Sequence, residues 1–221
     1  MKALLWKDYR LNRAWMISGL VIWLVVYLIG VIIELAAHWP EMPTSRDWGG
    51  MLNSYGVVSL FMTWVAAAMF SGNAVAVERA ERSAHFLAYL PPSRWEILTS
   101  KFIVAASIVV FMWGWALLSV YVLAPGMDTM AEADGPQVRE LVGICVLTFG
   151  VGWMCSAQME KTVGPIVVAL ASPPVVALVL ETLVSLMDWP RSRTLGFAVN
   201  MCLGLLTLGV GTLHYLKRVE P

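Results

Sequence analysis

The sequence predicts an all-α membrane protein, a polytopic bundle of six transmembrane helices. Three observations predict it. Hydrophobic residues make up 59% of the 221 positions and charged residues only 14%, where soluble domains carry roughly a quarter charged. The apolar residues gather into six stretches, each near the about 20 residues that a helix needs to cross a bilayer. Between the second and third stretches lies a dense polar island, residues 78–96, with long apolar runs on both sides. A water-soluble fold of this size has too little interior to hide so much apolar surface.

The six spans run roughly over residues 14–35, 55–77, 97–123, 141–157, 163–187 and 195–216. Residues 2–13 precede the first. On a helical wheel Leu4, Leu5, Tyr9, Leu11 and Trp15 gather on one side, and Lys7, Arg10 and Arg13 lie mostly on the other. Asp8 intrudes on the apolar arc. With Trp6 and Tyr9 beside it, this segment reads as an amphipathic helix lying on the inner membrane surface before the chain turns upward. The alternative is an ordinary positive flank that fixes topology. No cleavable signal peptide is visible, because the first apolar run is too long and continues into a bundle. It is expected to stay in the mature protein.

In the second span Ser71, Gly72 and Asn73 supply small and polar groups suited to close helix–helix contact. The fourth span is the shortest and contains Gly143, Gly150 and Gly152. Pro173 and Pro174 interrupt the middle of the fifth, as a hinge or cavity wall or as a static kink. Freed carbonyls at such a break need a neighbour or a cavity to satisfy them. Glu34, Glu181 and Asn200 lie in the outer parts of spans one, five and six. Polar and ionisable groups within spans are functional candidates by default. Asn73, Pro173, Pro174, Glu181 and Asn200 are therefore the candidate substrate path, with structural hydrogen bonding the alternative for each polar group.

Eleven of the fifteen Lys and Arg fall at the amino terminus, between spans two and three, between spans four and five, or in the tail. The opposite loops hold Arg46, Arg139, Arg191 and Arg193. This asymmetry predicts that both termini face the cytoplasm. Several of the eleven Trp (Trp15, Trp39, Trp48, Trp95 and Trp189) sit near span ends, as interfacial anchors do. Cys145, Cys155 and Cys202 fall in apolar stretches without metal-ligand spacing and read as small buried hydrophobes. His38, His85 and His214 have no second ligand at a useful spacing, so no metal site is expected. The outer loops are short and no internal repeat is evident, so residues 1–221 read as a single transmembrane domain.

The island reads as two helices with a sharp corner at the membrane surface. Phe86, Leu87 and Leu90 give the first an apolar side, and Glu78, Glu81, Arg82 and His85 a charged one. Glu78 and Arg82 are spaced i,i+4 in the favourable order. Pro91-Pro92 ends this helix. Ser93, with Glu96 three residues later, forms the capping-box pattern that starts the next.

The run Leu90-Pro91-Pro92-Ser93-Arg94, with Lys101 one turn into the third span, resembles the ABC type-2 permease family. That family shows an acidic helix, then "LP-x-S-R", then such a lysine. Here Ser83 stands where Thr is usual and His85 where Glu is usual. The motif covers about a tenth of the chain, and the six-span layout extends the resemblance over the rest. The resemblance implies a permease subunit of an ABC exporter in the cytoplasmic (inner or plasma) membrane. It implies that two permease chains, identical or homologous, pair within the bilayer. It implies that two ABC ATPase subunits dock on the coupling helix, residues 78–88, through Glu78, Glu81, Arg82, His85, Phe86 and Leu87. Residues 1–13 would then be the elbow helix.

No G-x-x-x-x-G-K-[ST] occurs, so no P-loop cradles phosphate in this chain. ATP and Mg²⁺ are expected on the partner ATPase, no cofactor and no catalytic residue on this chain, and no nucleic acid as partner. The rival readings are a membrane-embedded enzyme, which needs converging acid and His groups within spans, and an anchor or scaffold for a cytoplasmic partner.

Overall fold

The computed structural model describes residues 2–38, 43–77, 93–121, 128–159, 161–187 and 193–217. These form six helices, with no strand among the described residues: α1 Lys2–Ala37, α2 Ser45–Asn73, α3 Arg94–Tyr121, α4 Asp128–Gln158, α5 Val163–Leu186 and α6 Arg193–Lys217. Each contains a segment long and apolar enough to cross a membrane. The all-α, six-span, multi-pass membrane architecture expected from the sequence is therefore the one observed.

The helices differ from expectation in four places. First, α2 begins ten residues before the expected start of the second span. Thr44 caps it, accepting from the Asp47 N–H, while the Asp47 carboxylate takes the Thr44 N–H at 2.8 Å. This reciprocal capping box fixes a helix start among charged residues that resemble a loop. Second, α2 ends at Asn73, four residues early, in a turn at Ala74-Val75. Third, α4 begins at Asp128, well before the apolar run. Fourth, α5 runs through Pro173 and Pro174 without ending. Pro173 has no N–H to give the Ala169 carbonyl. The Ser172 hydroxyl donates to that carbonyl at 2.8 Å instead, so the lost rung is replaced within the helix.

The amino-terminal segment is helical but not a separate element. It forms the first turns of α1, a helix of 36 residues. At 1.5 Å per residue this is about 54 Å, against about 30 Å of hydrocarbon. The membrane-spanning part is Met16–Ala37, so the first turns extend beyond it.

Helices α2 and α4 form the centre of the bundle, and α4 packs most extensively against α6. A Cβ added at Gly150 on α4 would drive into the Gly204 carbonyl of α6, and one at Gly204 would lie 2.6 Å from the Val146 carbonyl. Only glycine allows the two backbones this close. Trp153 Nε1 donates across the same seam to Thr212 Oγ1 at 3.3 Å. On the other side of the bundle Trp23 Nε1 of α1 donates to the buried Ser59 Oγ of α2 at 2.9 Å. Its ring joins Phe70, Ala105, Ile108 and Met112 in one apolar cluster.

The outward faces are apolar. Leu28 and Ile32 of α1, Val175, Leu178 and Leu186 of α5, and Leu206 and Leu213 of α6 are all more than half exposed. A soluble monomer rarely shows contiguous apolar surface of this extent, whereas lipid covers it without cost. Cys145 and Cys155 are buried as expected, but Cys202 is exposed on α6.

Candidate functional site

A buried polar node ties four helices together at the end of the bundle where the chain leaves α2 and later begins α3. It starts from the break in α2. Beyond Asn73 the ladder of helix hydrogen bonds tightens, and the Ala74 N–H reaches back to the Ser71 carbonyl at 3.4 Å. The next two N–H groups, those of Val75 and Ala76, lie in the buried interior. Both donate to one acceptor, Ser156 Oγ of α4, at 2.8 and 3.0 Å. Buried backbone donors need such partners. A single hydroxyl with two lone pairs can serve both.

The carbonyl side of the break is held by a charge. Lys101 of α3 places its Nζ 3.1 Å from the Ala74 carbonyl and 3.8 Å from Asp8 Oδ1 of α1. Ser100 Oγ donates to Asp8 Oδ2. Asp8 and Lys101 are only 4% and 5% exposed. Burying two charges is costly, and close pairing with extra hydrogen bonds offsets the cost. The node supplies both. Asp8, the residue that spoils the amphipathic arc of the amino-terminal segment, is thus the one that turns that segment into the bundle. Asn12 Nδ2, one turn on, donates to the Asp8 carbonyl at 2.9 Å. A small cavity beside the node is lined by Asn12, Phe70, Ala74 and Lys101.

The start of α3 is fixed in the same region. Glu96 Oε2 accepts from the Ser93 N–H at 2.9 Å, and Ser93 Oγ accepts from the Glu96 N–H at 3.3 Å. This is the capping box read from the sequence. Arg94 reaches the Leu216 carbonyl of α6 at 3.4 Å. Ala74, Leu98 and Trp153 pack as one apolar cluster beneath. The chain therefore enters and leaves residues 78–92 through two anchored points on one end of the bundle. The expected docking residues Glu78, Glu81, Arg82, His85, Phe86 and Leu87 lie outside the described residues.

The candidate path residues fall in separate places. Asn73 is buried at the end of α2, next to the node. Pro173 is buried in α5, Pro174 is exposed beside it, and Glu181 is exposed on the same helix. Asn200 lies across from Gly143 in the seam of α4 and α6, with its buried Oδ1 unpaired among the described residues. Ser71 and Gly72 make the close contacts expected of them: Ser71 lies against Gly152 of α4, and Gly72 against Ile166 of α5.

At the opposite end of the bundle the structure brings together three residues that sequence reasoning left apart. Glu34, His38 and Asp47 each offer a ligand atom, all within 4.8 Å of one another. The i,i+4 spacing of Glu34 and His38 was visible on one helix face. Asp47 was not, because it returns on a different helix. No protein-family model and no characterised protein matches this chain.

Proposed function

We propose that the chain is the membrane-spanning permease subunit of an ABC exporter, driven by ATP hydrolysed on a separate subunit. In this reading residues 78–88 form a cytoplasmic coupling helix, the first turns of α1 serve as the elbow helix at the membrane surface, and two permease chains pair. The observation that carries the reading is the anchoring of residues 78–92 at both ends. A segment that receives force from a docked ATPase must pass it to the spans and not merely swing. Here the chain entering it is bound by Ser156 and Lys101, and the chain leaving it by the Ser93–Glu96 box. Movement of that segment would act at once on α1, α2, α3 and α4, because the node joins all four.

The sequence motif and this anchoring support one another. The lysine that matches the family pattern, Lys101, is the residue that bridges the end of α2 to α1. A scaffold that only tethers a partner has no need of a buried charge pair at this point. The test is isolation of the full chain from its native membrane in mild detergent, with mass spectrometry of what accompanies it. The reading predicts a P-loop ATPase and two permease copies per complex. A chain that is isolated intact, without any P-loop ATPase, would overturn it.

A further inference from the structure

We propose that Glu34, His38 and Asp47 form a binding site for a divalent transition-metal ion of the Zn²⁺ class, at the end of the bundle opposite the amino terminus. The inference is independent of the transport reading. It rests on three ligand atoms that two helices bring within 4.8 Å of one another, and on the orientation of the ring of His38. Its Nδ1 lies 3.0 Å from the Glu34 carbonyl oxygen. A carbonyl can only accept, so Nδ1 carries the proton and donates. In the neutral imidazole the lone pair is then on Nε2. That atom faces Asp47 Oδ2 at 3.6 Å. Oδ2 accepts the Thr44 N–H and hydroxyl, and a metal ion held at Nε2 would take the Asp47 carboxylate as its second ligand.

The surroundings favour the metal. A metal-bound imidazole commonly donates its other N–H to a carbonyl or carboxylate, which fixes the ring and raises its basicity. The Nδ1–H to Glu34 carbonyl bond is that arrangement. Ligating carboxylates are likewise held by hydrogen bonds, and Thr44 holds Asp47 through its N–H and its hydroxyl, at 2.8 and 2.6 Å. Zn²⁺ takes imidazole nitrogen at about 2.0–2.1 Å and carboxylate oxygen at about 2.0–2.2 Å, which sets neighbouring ligands roughly 3.3–3.5 Å apart in a tetrahedron. The 3.6 Å between Nε2 and Oδ2 is close to that edge. The Glu34 carboxylate lies 3.5 Å from Nδ1 of His38 and is the third candidate ligand, within 4.8 Å of the others.

Access and open coordination positions are also present. The three side chains are between 22% and 35% exposed. A cavity of about 640 Å³ runs beside them, bordered by Glu34, Asp47, Ser54 and Tyr55. It gives an ion a route in and leaves space for water to complete the shell. One imidazole and two carboxylates with open positions suit Zn²⁺ and similar ions; the harder Mg²⁺ and Ca²⁺ take oxygen ligands.

The test uses the full chain in detergent, stripped with a chelator and titrated with Zn²⁺ by calorimetry, with Co²⁺ absorption as a second readout of tetrahedral coordination. The proposal predicts one Zn²⁺ bound per chain and a rise in melting temperature on binding. His38→Gln and Glu34→Gln, which leave the Thr44–Asp47 cap intact, should each weaken binding by about tenfold or more. They should also abolish the thermal shift. His214→Gln, on α6, should bind as the parent does. Failure of the parent chain to take up stoichiometric Zn²⁺ would overturn the proposal. Equal binding by His38→Gln would overturn it as well.

Discussion

Replacing Lys101 by Met removes the positive charge from the node while keeping most of the side-chain volume. If the pair were on the surface, its loss would cost about 0.2–1 kcal/mol. It is not: the side chains of Lys101 and Asp8 are 4% and 5% exposed. Removing one partner of a buried pair typically costs about 3–5 kcal/mol, because the other charge stays buried without its counter-charge; here Asp8 keeps the Ser100 hydroxyl. The Ala74 carbonyl also loses its donor. Lys101→Met is therefore expected to destabilise the chain by about 3–5 kcal/mol. In Asp8→Asn with Lys101→Met no charge is left to strand, and Ser100 still has an oxygen to donate to. The double variant should recover about 2 kcal/mol relative to the sum of the singles, near the upper range for coupled neighbours. The assay is reversible unfolding in mixed micelles, followed by helicity. A Lys101→Met cost below about 1 kcal/mol, or strict additivity in the cycle, would refute the node as a buried ion pair.

Ser156→Ala should cost about 1–3 kcal/mol in the same assay, because it leaves the Val75 and Ala76 N–H groups without their acceptor. At the seam of α4 and α6, Gly150→Ala should cost about 1–3 kcal/mol from the overlap with the Gly204 carbonyl. Gly209→Ala, where a Cβ meets nothing within 4 Å, should be neutral or slightly stabilising. Cysteine introduced at Ser83 should be labelled from the cytoplasmic side and at Asp134 from the outside; the reverse pattern would overturn the orientation drawn from the basic residues.

The existence of the six helices was legible because apolar runs of span length have few other readings. Their ends were legible only where local capping chemistry was recognised. Ser93 and Glu96 were read as a capping box and form one. Thr44 and Asp47 carry the same signal, but surrounding charge made the segment resemble a loop. The Pro173-Pro174 break was expected because proline removes a donor. The Ser172 hydroxyl, a local signal that was present in the sequence, donates to the Ala169 carbonyl that Pro173 leaves without a donor. The node was not legible. Asp8 and Ser100 are 92 residues apart, and helical periodicity reports which face a residue occupies, not what meets it there. Asp8 therefore registered as a flaw in an amphipathic helix. His38 looked isolated for the same reason, since Asp47 reaches it from the start of another helix.

The most direct test of the central claim is the association and ATP hydrolysis of a P-loop ATPase with the parent chain and with Phe86→Asp, both reconstituted in nanodiscs. Burying one Phe side chain contributes about 1.5–3 kcal/mol, and a carboxylate in its place adds desolvation cost. The account predicts that the parent complex retains the ATPase and stimulates its hydrolysis. Phe86→Asp should insert and pair normally but lose both properties, while Glu81→Ala, which acts on register more than affinity, should lose less. Unchanged ATPase association and hydrolysis in a normally folded Phe86→Asp chain would contradict the coupling-helix reading, and with it the assignment as an ABC permease.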